Sequence, residues 1–385
     1  MRELWARRDP RLWTPLIAFV VTRLGIALVG YVAEPLMADY MVPPPYHIRP
    51  DAILLDIFGS RWDTGFYLSI ATEGYRNLGV PLPSTAFFPL LPMLIRLLTP
   101  LTQDALISGL IVTNAALLGA AVLFYNWVAS AWGRPTAERA VWYLLLFPAS
   151  LFGSAIYTES VFLVAGIGAA YAARRGHWPL AALLAYGAGL TRLLGVLIAV
   201  LLIAEAWPVW RAAAWRARVP IVLAIAAAPL GLLSYMLYLN ATFGDALAFV
   251  HASEAWGRVA TSPWVTLTQL FQAPAEGWSA ALAAGRLPLD NWIDALSVVV
   301  FFGFGCVLLR QRQWGEGLYV LLGAVIPVSS GLLMSQRRYM WILFPVFVLL
   351  ARWGARSGVD RAIQTLFALG LGLCMALFAN WYWVG

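Results

Sequence analysis

The chain of 385 residues has no lysine, so its 26 basic residues are all arginine. It has only two cysteines, Cys306 and Cys374, both inside apolar runs. A thiol there behaves as a small hydrophobe, which excludes a disulfide framework and a cysteine metal site. Its three histidines, His47, His177 and His251, are far apart, and no His-x-x-x-His pair or acidic pair at ligand spacing occurs. No metal site is legible from them. The glycines form neither a P-loop nor a dinucleotide motif, and no internal repeat or low-complexity tract is present. Charge is scarce too: 12% of residues are charged, against about a quarter in a soluble globular domain. A water-soluble fold and a separate nucleotide-binding module are thereby excluded.

What the chain has in abundance is apolar length. Hydrophobic residues make up 61% of it and the mean hydropathy is +0.75, which predicts an all-α polytopic membrane protein forming one domain over residues 1–385. The apolar runs give about 11 spans (10–12) of roughly 20 residues each: 13–37, 105–130, 138–155, 157–173, 178–192, 193–207, 219–241, 293–309, 316–333, 339–353 and 362–384. Residues 1–11 are basic and lead into the first run without a small-residue cleavage site, so that run is expected to be retained. With the N-terminus cytoplasmic, the inner segments carry sixteen Arg and six acids, and the outer ones nine Arg and 13 acids. This is the positive-inside pattern. The net charge of +7 therefore reports orientation and not a nucleic-acid partner. Arg23, left within the first span, is too deep for a surface charge and is expected to face the bundle interior.

Two runs depart from simple spans. The run 87–98 is about 18 Å long as a helix, too short for a core of roughly 30 Å, and is expected to lie as an interfacial or re-entrant helix on the outer side. The stretch 178–207 is interrupted by Gly189, Thr191, Arg192 and Gly195, which predicts two half-spans meeting near Arg192. The outer face then receives two large loops, 38–104 and 242–292. Their Trp, Tyr, Phe and Pro content predicts ordered, interface-lying helices.

The first loop carries Arg61-Trp62-Asp63-Thr64-Gly65-Phe66-Tyr67. On a helix over 61–72, Trp62, Phe66 and Ile70 recur every fourth residue and would face the bilayer, while Asp63 and Tyr67 share the adjacent face. A carboxylate at headgroup depth is expensive unless chemistry needs it. The plain alternative is that Asp63 is a helix N-cap; Asp56 and Asp51 are competing acids.

These residues, with Ile70, Ala71, Gly74, Tyr75 and the downstream Phe87-Phe88-Pro89, resemble the PIG-V family of lipid-linked mannosyltransferases within the GT-C class. Further matching pieces are Phe147-Pro148, Tyr157-Thr158-Glu159-Ser160, Leu190-Thr191-Arg192, Phe243-Gly244-Asp245 and Arg338-Tyr339. Leu193 stands where a Pro or small residue is expected. The resemblance implies a GT-C-like bundle that moves mannose, with inversion, from polyprenyl-phosphate-mannose to a glycolipid or glycan acceptor on the extracytoplasmic side. Asp63 would be the general base. Phosphate calls for Arg, whose planar fork binds its oxygens in pairs; Arg338, Arg337 and Arg192 are the outer-side candidates. Glu159 is expected to gain from a helix N-terminus, to pair with Arg192 or Arg338, or to bind sugar hydroxyls. Trp62, Tyr67, Tyr339 and His251, with Trp256, complete the candidate substrate-binding set. A monophosphate leaving group can be neutralised by Arg, so a metal-independent reaction without a cofactor is expected. The absence of Lys and the richness in Arg and Ala point to a high-GC bacterial genome, hence to a plasma-membrane enzyme acting on a glycolipid or cell-envelope glycan. Two other readings compete: a lipid or glycolipid flippase, which would show inverted repeats and charges near the midplane, and a scaffold subunit in which Asp63 is dispensable. Within the enzyme reading, another lipid-linked sugar is the alternative to mannose.

Overall fold

The computed structural model describes residues 9–40, 48–77, 80–211, 214–272, 274–284 and 287–385; Arg2, Arg7, Arg8, His47 and Arg286 lie outside them. All regular structure among the described residues is helical. The first apolar run forms α1 (Pro10–Ala33), started by Asp9, whose carboxylate accepts from the Arg11 N–H at 3.0 Å. Three shorter helices, α2 (Ile53–Ser60), α3 (Thr64–Glu73) and α4 (Leu90–Thr102), fill the region expected as the first outer loop. α4 runs for about 20 Å, too short to cross a bilayer core alone. Asp104 then caps α5 (Ala105–Trp132), accepting from the Leu106 and Ile107 N–H groups, which are among the donors a helix start leaves unserved.

The expected span 138–155 is not one helix. α6 (Arg134–Leu146) stops at Phe147, and Pro148–Gly153 is a 3-10 turn. Pro148 has no N–H to offer the Leu144 carbonyl, which accepts instead from Trp341 Nε1 at 2.8 Å. Other carbonyls of the break are served by Arg23: its Nη2 donates to the Leu145 oxygen at 2.9 Å and its Nη1 to the Ser150 oxygen at 2.8 Å. Arg23 thus faces the interior, where it supplies donors that a broken helix lacks.

The break near Arg192 is present and is a reversal. α7 (Glu159–Arg174) is followed by α8 (Trp178–Gly189), then by the extended Arg192, a 3-10 turn over Leu193–Leu197, and α9 (Ile198–Trp210). Arg192 pairs with Glu159 at the start of α7, whereas Glu205 of α9 pairs with Arg174 at its end. α8 and α9 therefore run in opposite directions beside α7. Bare backbone makes this possible: a Cβ on Gly195 would stand 2.0 Å from the Ala188 carbonyl oxygen. Next comes α10 (Trp215–Phe243), which crosses α8 so closely that a Cβ on Gly189 would lie 2.1 Å from the Ala228 oxygen. Small residues at such crossings let helices approach without a side-chain layer between them.

The second outer region holds only short helices, α11 (Ala248–Ser253), α12 (Pro263–Leu267) and α13 (Trp278–Ala283). The chain then continues through α14 (Leu289–Arg310), α15 (Trp314–Val328), α16 (Gln336–Trp341), α17 (Pro345–Trp353) and α18 (Ser357–Ala379). Among the described residues six helices are long and apolar enough to cross a membrane: α1, α5, Leu193–Trp210, α10, α14 and α18. The other five expected spans are shorter or broken elements, since 316–333 ends in a loop after Val328 and 339–353 is interrupted between α16 and α17. One end of the bundle collects Arg174 with Glu205, Arg352 with Gln311, and Arg139 with the Ala351 carbonyl. The opposite end, where α3, α7 and α16 begin, holds a cavity.

Candidate active site

Asp63 precedes α3 in the N-cap position, yet its side chain makes no cap hydrogen bond. It turns instead to α16, where Arg338 Nη1 donates to Asp63 Oδ2 at 3.0 Å. The backbone before each partner is unusual: Trp62 has φ +57° and Ser335 has φ +77°. Left-handed backbone is costly for residues with a side chain and persists where the surroundings enforce it. At Trp62 those surroundings are Trp381 and Trp383, with ring centres at 6.0 and 5.3 Å. The Asp63 N–H donates to the Tyr157 hydroxyl at 3.1 Å, and that hydroxyl donates to the Arg61 carbonyl at 3.2 Å.

Behind this pair is a second one. Glu159, fully buried at the start of α7, lies 3.4 Å from Arg338 Nε and 2.6 Å from Arg192 Nη2. Arg192 Nη2 also donates to Thr158 Oγ1 at 2.9 Å. A buried carboxylate persists only when paired and hydrogen-bonded; here Arg192 supplies the hydrogen bond and Arg338 a second ion pair. The result is a connected line, Asp63 to Arg338 to Glu159 to Arg192, built from four separate stretches of sequence.

The line borders a cavity of ≈ 390 Å³ whose walls include Asp63, Tyr67, Arg192, Arg338, Tyr339 and Trp256. Phe87 and Trp256 also form an aromatic wall, stacked and edge-on against Phe66 at 4.5 and 5.6 Å. The face of α3 expected to meet the bilayer is therefore packed against the protein: Ile70 is 4% exposed and Phe66 is held between rings. Tyr67 reaches the cavity beside Phe87. Burial, with the Glu159 and Asp63 carboxylates adding to it, holds its phenol well above the ordinary value. It stays protonated and can donate.

Other candidates fall elsewhere. Arg337 points to α14, where its Nε bonds Asp294 at 3.0 Å and its Nη2 bonds Asp290 at 2.8 Å; it does not line the cavity. Neighbours in a helix do not share a face. Trp62 supports the wall from behind through Trp383. His251 is exposed and pairs with Asp245 at 2.7 Å, outside the cavity lining. The lining residues that sequence reasoning missed include Arg258 and Trp383. Among the described residues no group of three or more His, Cys, Asp or Glu is arranged to hold a metal.

The competing acid Asp56 is occupied otherwise. It is 3% exposed and bonded to Arg61 Nη1 at 2.6 Å and Ser60 Oγ at 2.7 Å. Breaking a buried pair from one side costs about 3–5 kcal/mol, so Asp56→Asn is expected to lower the unfolding temperature in detergent while activity per folded molecule is kept. Equal activity loss in correctly folded Asp56→Asn would move the acid's role to this position.

Residues 51–207 match the family Mannosyltransferase (PIG-V). The likeness read from Trp62-Asp63 onward is borne out over that segment. The PIG-V segment contains Asp63, Tyr67, Glu159 and Arg192, while Arg258, Arg338 and Trp383 lie beyond it. Comparison with curated proteins gives no match. Among solved structures, the apo oligosaccharyltransferase of Archaeoglobus fulgidus is similar with a TM-score of 0.45 at 13% identity, covering 99% of this chain and 57% of its own. The archaeal oligosaccharyltransferase AglB from Archaeoglobus fulgidus, in complex with an inhibitory peptide and a dolichol-phosphate, has a TM-score of 0.43 at 11% identity, covering 96% and 56%. The chain spans little more than half the length of these two proteins.

Proposed function

We propose that the chain, as one membrane domain over residues 1–385, transfers mannose with inversion from polyprenyl-phosphate-mannose to a glycolipid or cell-envelope glycan on the extracytoplasmic face of a bacterial plasma membrane. Its N-terminus is cytoplasmic, its remaining apolar segments complete a GT-C-like bundle of about 11 spans, and its short helices 53–73, 90–102 and 248–283 lie at the outer interface. The observation that carries this reading is the cavity at one bundle end, lined by the Asp63 carboxylate together with the Arg192, Arg258 and Arg338 guanidinium groups.

Asp63 has Arg338 on one oxygen, which orients the carboxylate at the cavity wall. It takes the acceptor's hydroxyl proton as the acceptor oxygen bonds to the anomeric carbon. The bond from that carbon to the phosphate oxygen breaks, and the lipid phosphate leaves with the electron pair. Tyr67 and Trp256 border the space for the sugar, a phenol to donate and a ring to stack. Arginine supplies the positive charge that phosphate needs, so the reaction proceeds without a metal or cofactor. Purified enzyme given labelled polyprenyl-phosphate-mannose and host lipid extract is expected to yield a labelled glycolipid or glycan that is missing from a deletion strain. Transfer from a different lipid-linked sugar, with none from the mannose donor, would overturn the choice of sugar.

A further inference from the structure

Three guanidinium groups surround a single tyrosine ring. The Cζ atoms of Arg338, Arg192 and Arg258 lie 5.7, 5.8 and 5.9 Å from the centre of the Tyr339 ring. Two carboxylates serve them unequally. Arg338 is hydrogen-bonded to Asp63 and ion-paired with Glu159, and Arg192 is hydrogen-bonded to Glu159. Among the described residues Arg258 forms no ion pair; it donates to Ser330 Oγ at 2.8 Å and to the Met334 carbonyl at 3.2 Å. Three cations against two anions leave one positive charge at the cavity wall, and it rests on Arg258.

A second observation points to the same place. Nε and Nη1 of Arg192 are buried and have no hydrogen-bond partner, and buried charged donors are costly to leave unserved. Leu193, Val250 and Met334, apolar and exposed, line the cavity on this side. A singly charged group with several acceptor oxygens and an apolar tail answers all three features. We infer that Arg258, together with Nε and Nη1 of Arg192, binds the phosphodiester of the lipid-linked donor, while Arg338 serves the acid. This assignment rests on the function proposed above.

Charge balance supports it through the reaction. A phosphodiester brings one negative charge, which cancels the excess on Arg258. On transfer the diester becomes a monoester dianion while the acceptor's proton neutralises Asp63, so the site gains one positive charge as the phosphate gains one negative charge. A diphosphate-linked donor would leave negative charge uncompensated in both states.

The test compares wild type, Arg258→Gln and Arg258→Lys in donor titrations and in inhibition by farnesyl phosphate. Inorganic phosphate and phosphatidylglycerol are tested beside it to separate a free phosphate and a bilayer phosphodiester from the donor. Losing a charged hydrogen-bond donor is expected to raise the donor KM and the farnesyl phosphate inhibition constant about 10- to 100-fold in Arg258→Gln. kcat falls less, and Arg258→Lys recovers part of the loss because it keeps the charge without the fork. Unchanged constants in an active Arg258→Gln variant overturn the assignment alone, and the folded Lys variant decides the matter by the same constants if Gln destabilises the protein. Inhibition by inorganic phosphate or phosphatidylglycerol as strong as by farnesyl phosphate also overturns it. Wild type that neither transfers from the mannose donor nor binds farnesyl phosphate removes the proposed function, and this assignment with it.

Discussion

Asp63→Asn is expected to lower turnover by about 10²- to 10⁴-fold, the scale of a lost general base, with the protein still folded. The amide has nearly the carboxylate's shape, and its oxygen can still accept from Arg338 Nη1, now held at 3.0 Å by the acid. What it loses is the ability to take a proton. Because Asp63 makes no helix-cap hydrogen bond, no cap is lost with it. Donor titration and single-turnover transfer by the purified variant check this: near-normal donor affinity with collapsed turnover is the expected pair of results. A variant with wild-type turnover would make the residue a structural partner of Arg338 and nothing more.

Arg338→Ala is expected to damage the protein twice over. Its guanidinium is bound to Asp63 and approaches the fully buried Glu159, and removing one member of such a pair costs about 3–5 kcal/mol because the other is left uncompensated. A clear fall in unfolding temperature should accompany nearly complete loss of transfer. Arg338→Lys separates the two effects, since an ammonium keeps the charge but cannot reach both carboxylates with a planar fork. It is expected to regain most of the stability and only part of the turnover. Stability fully kept in Arg338→Ala would mean that Arg192 alone satisfies Glu159, which it approaches at 2.6 Å.

Much of the lining of this candidate site is legible in the sequence, and the parts that are not have physical reasons. Asp63, Glu159, Arg192 and Arg338 stood out because a charge near a bilayer needs a cause. Arg337 looked equivalent to its neighbour because a count of charges does not show direction, and consecutive helix residues point to different sides. Arg258 was passed over because it sits after the left-handed Gly257 in irregular chain, where no periodicity singles out one residue. The signal that marked Arg337 and Arg338, a basic residue on the side basic residues avoid, applied to it equally. Trp62 and Phe66 were assigned to the lipid face because periodicity shows which residues share a stripe, not what covers it. The hairpin at Arg192 was legible because glycines and polar residues interrupt an apolar run there. The break at Phe147-Pro148 was not, because the apolar run continues through it while its carbonyls find donors in Arg23 and Trp341.

Arg23 also constrains how the chain comes to be made. Its acceptors at Leu145, Ser150 and Ser154 are 122 to 131 residues further along. At about 5–20 residues per second of synthesis, roughly 6 to 26 s pass before they emerge. Throughout that interval the first helix carries a guanidinium that costs about 2.5–3.5 kcal/mol at the centre of an inserting helix. The contacts that serve Arg23 in the folded protein therefore become available only once the 145–154 segment has been made.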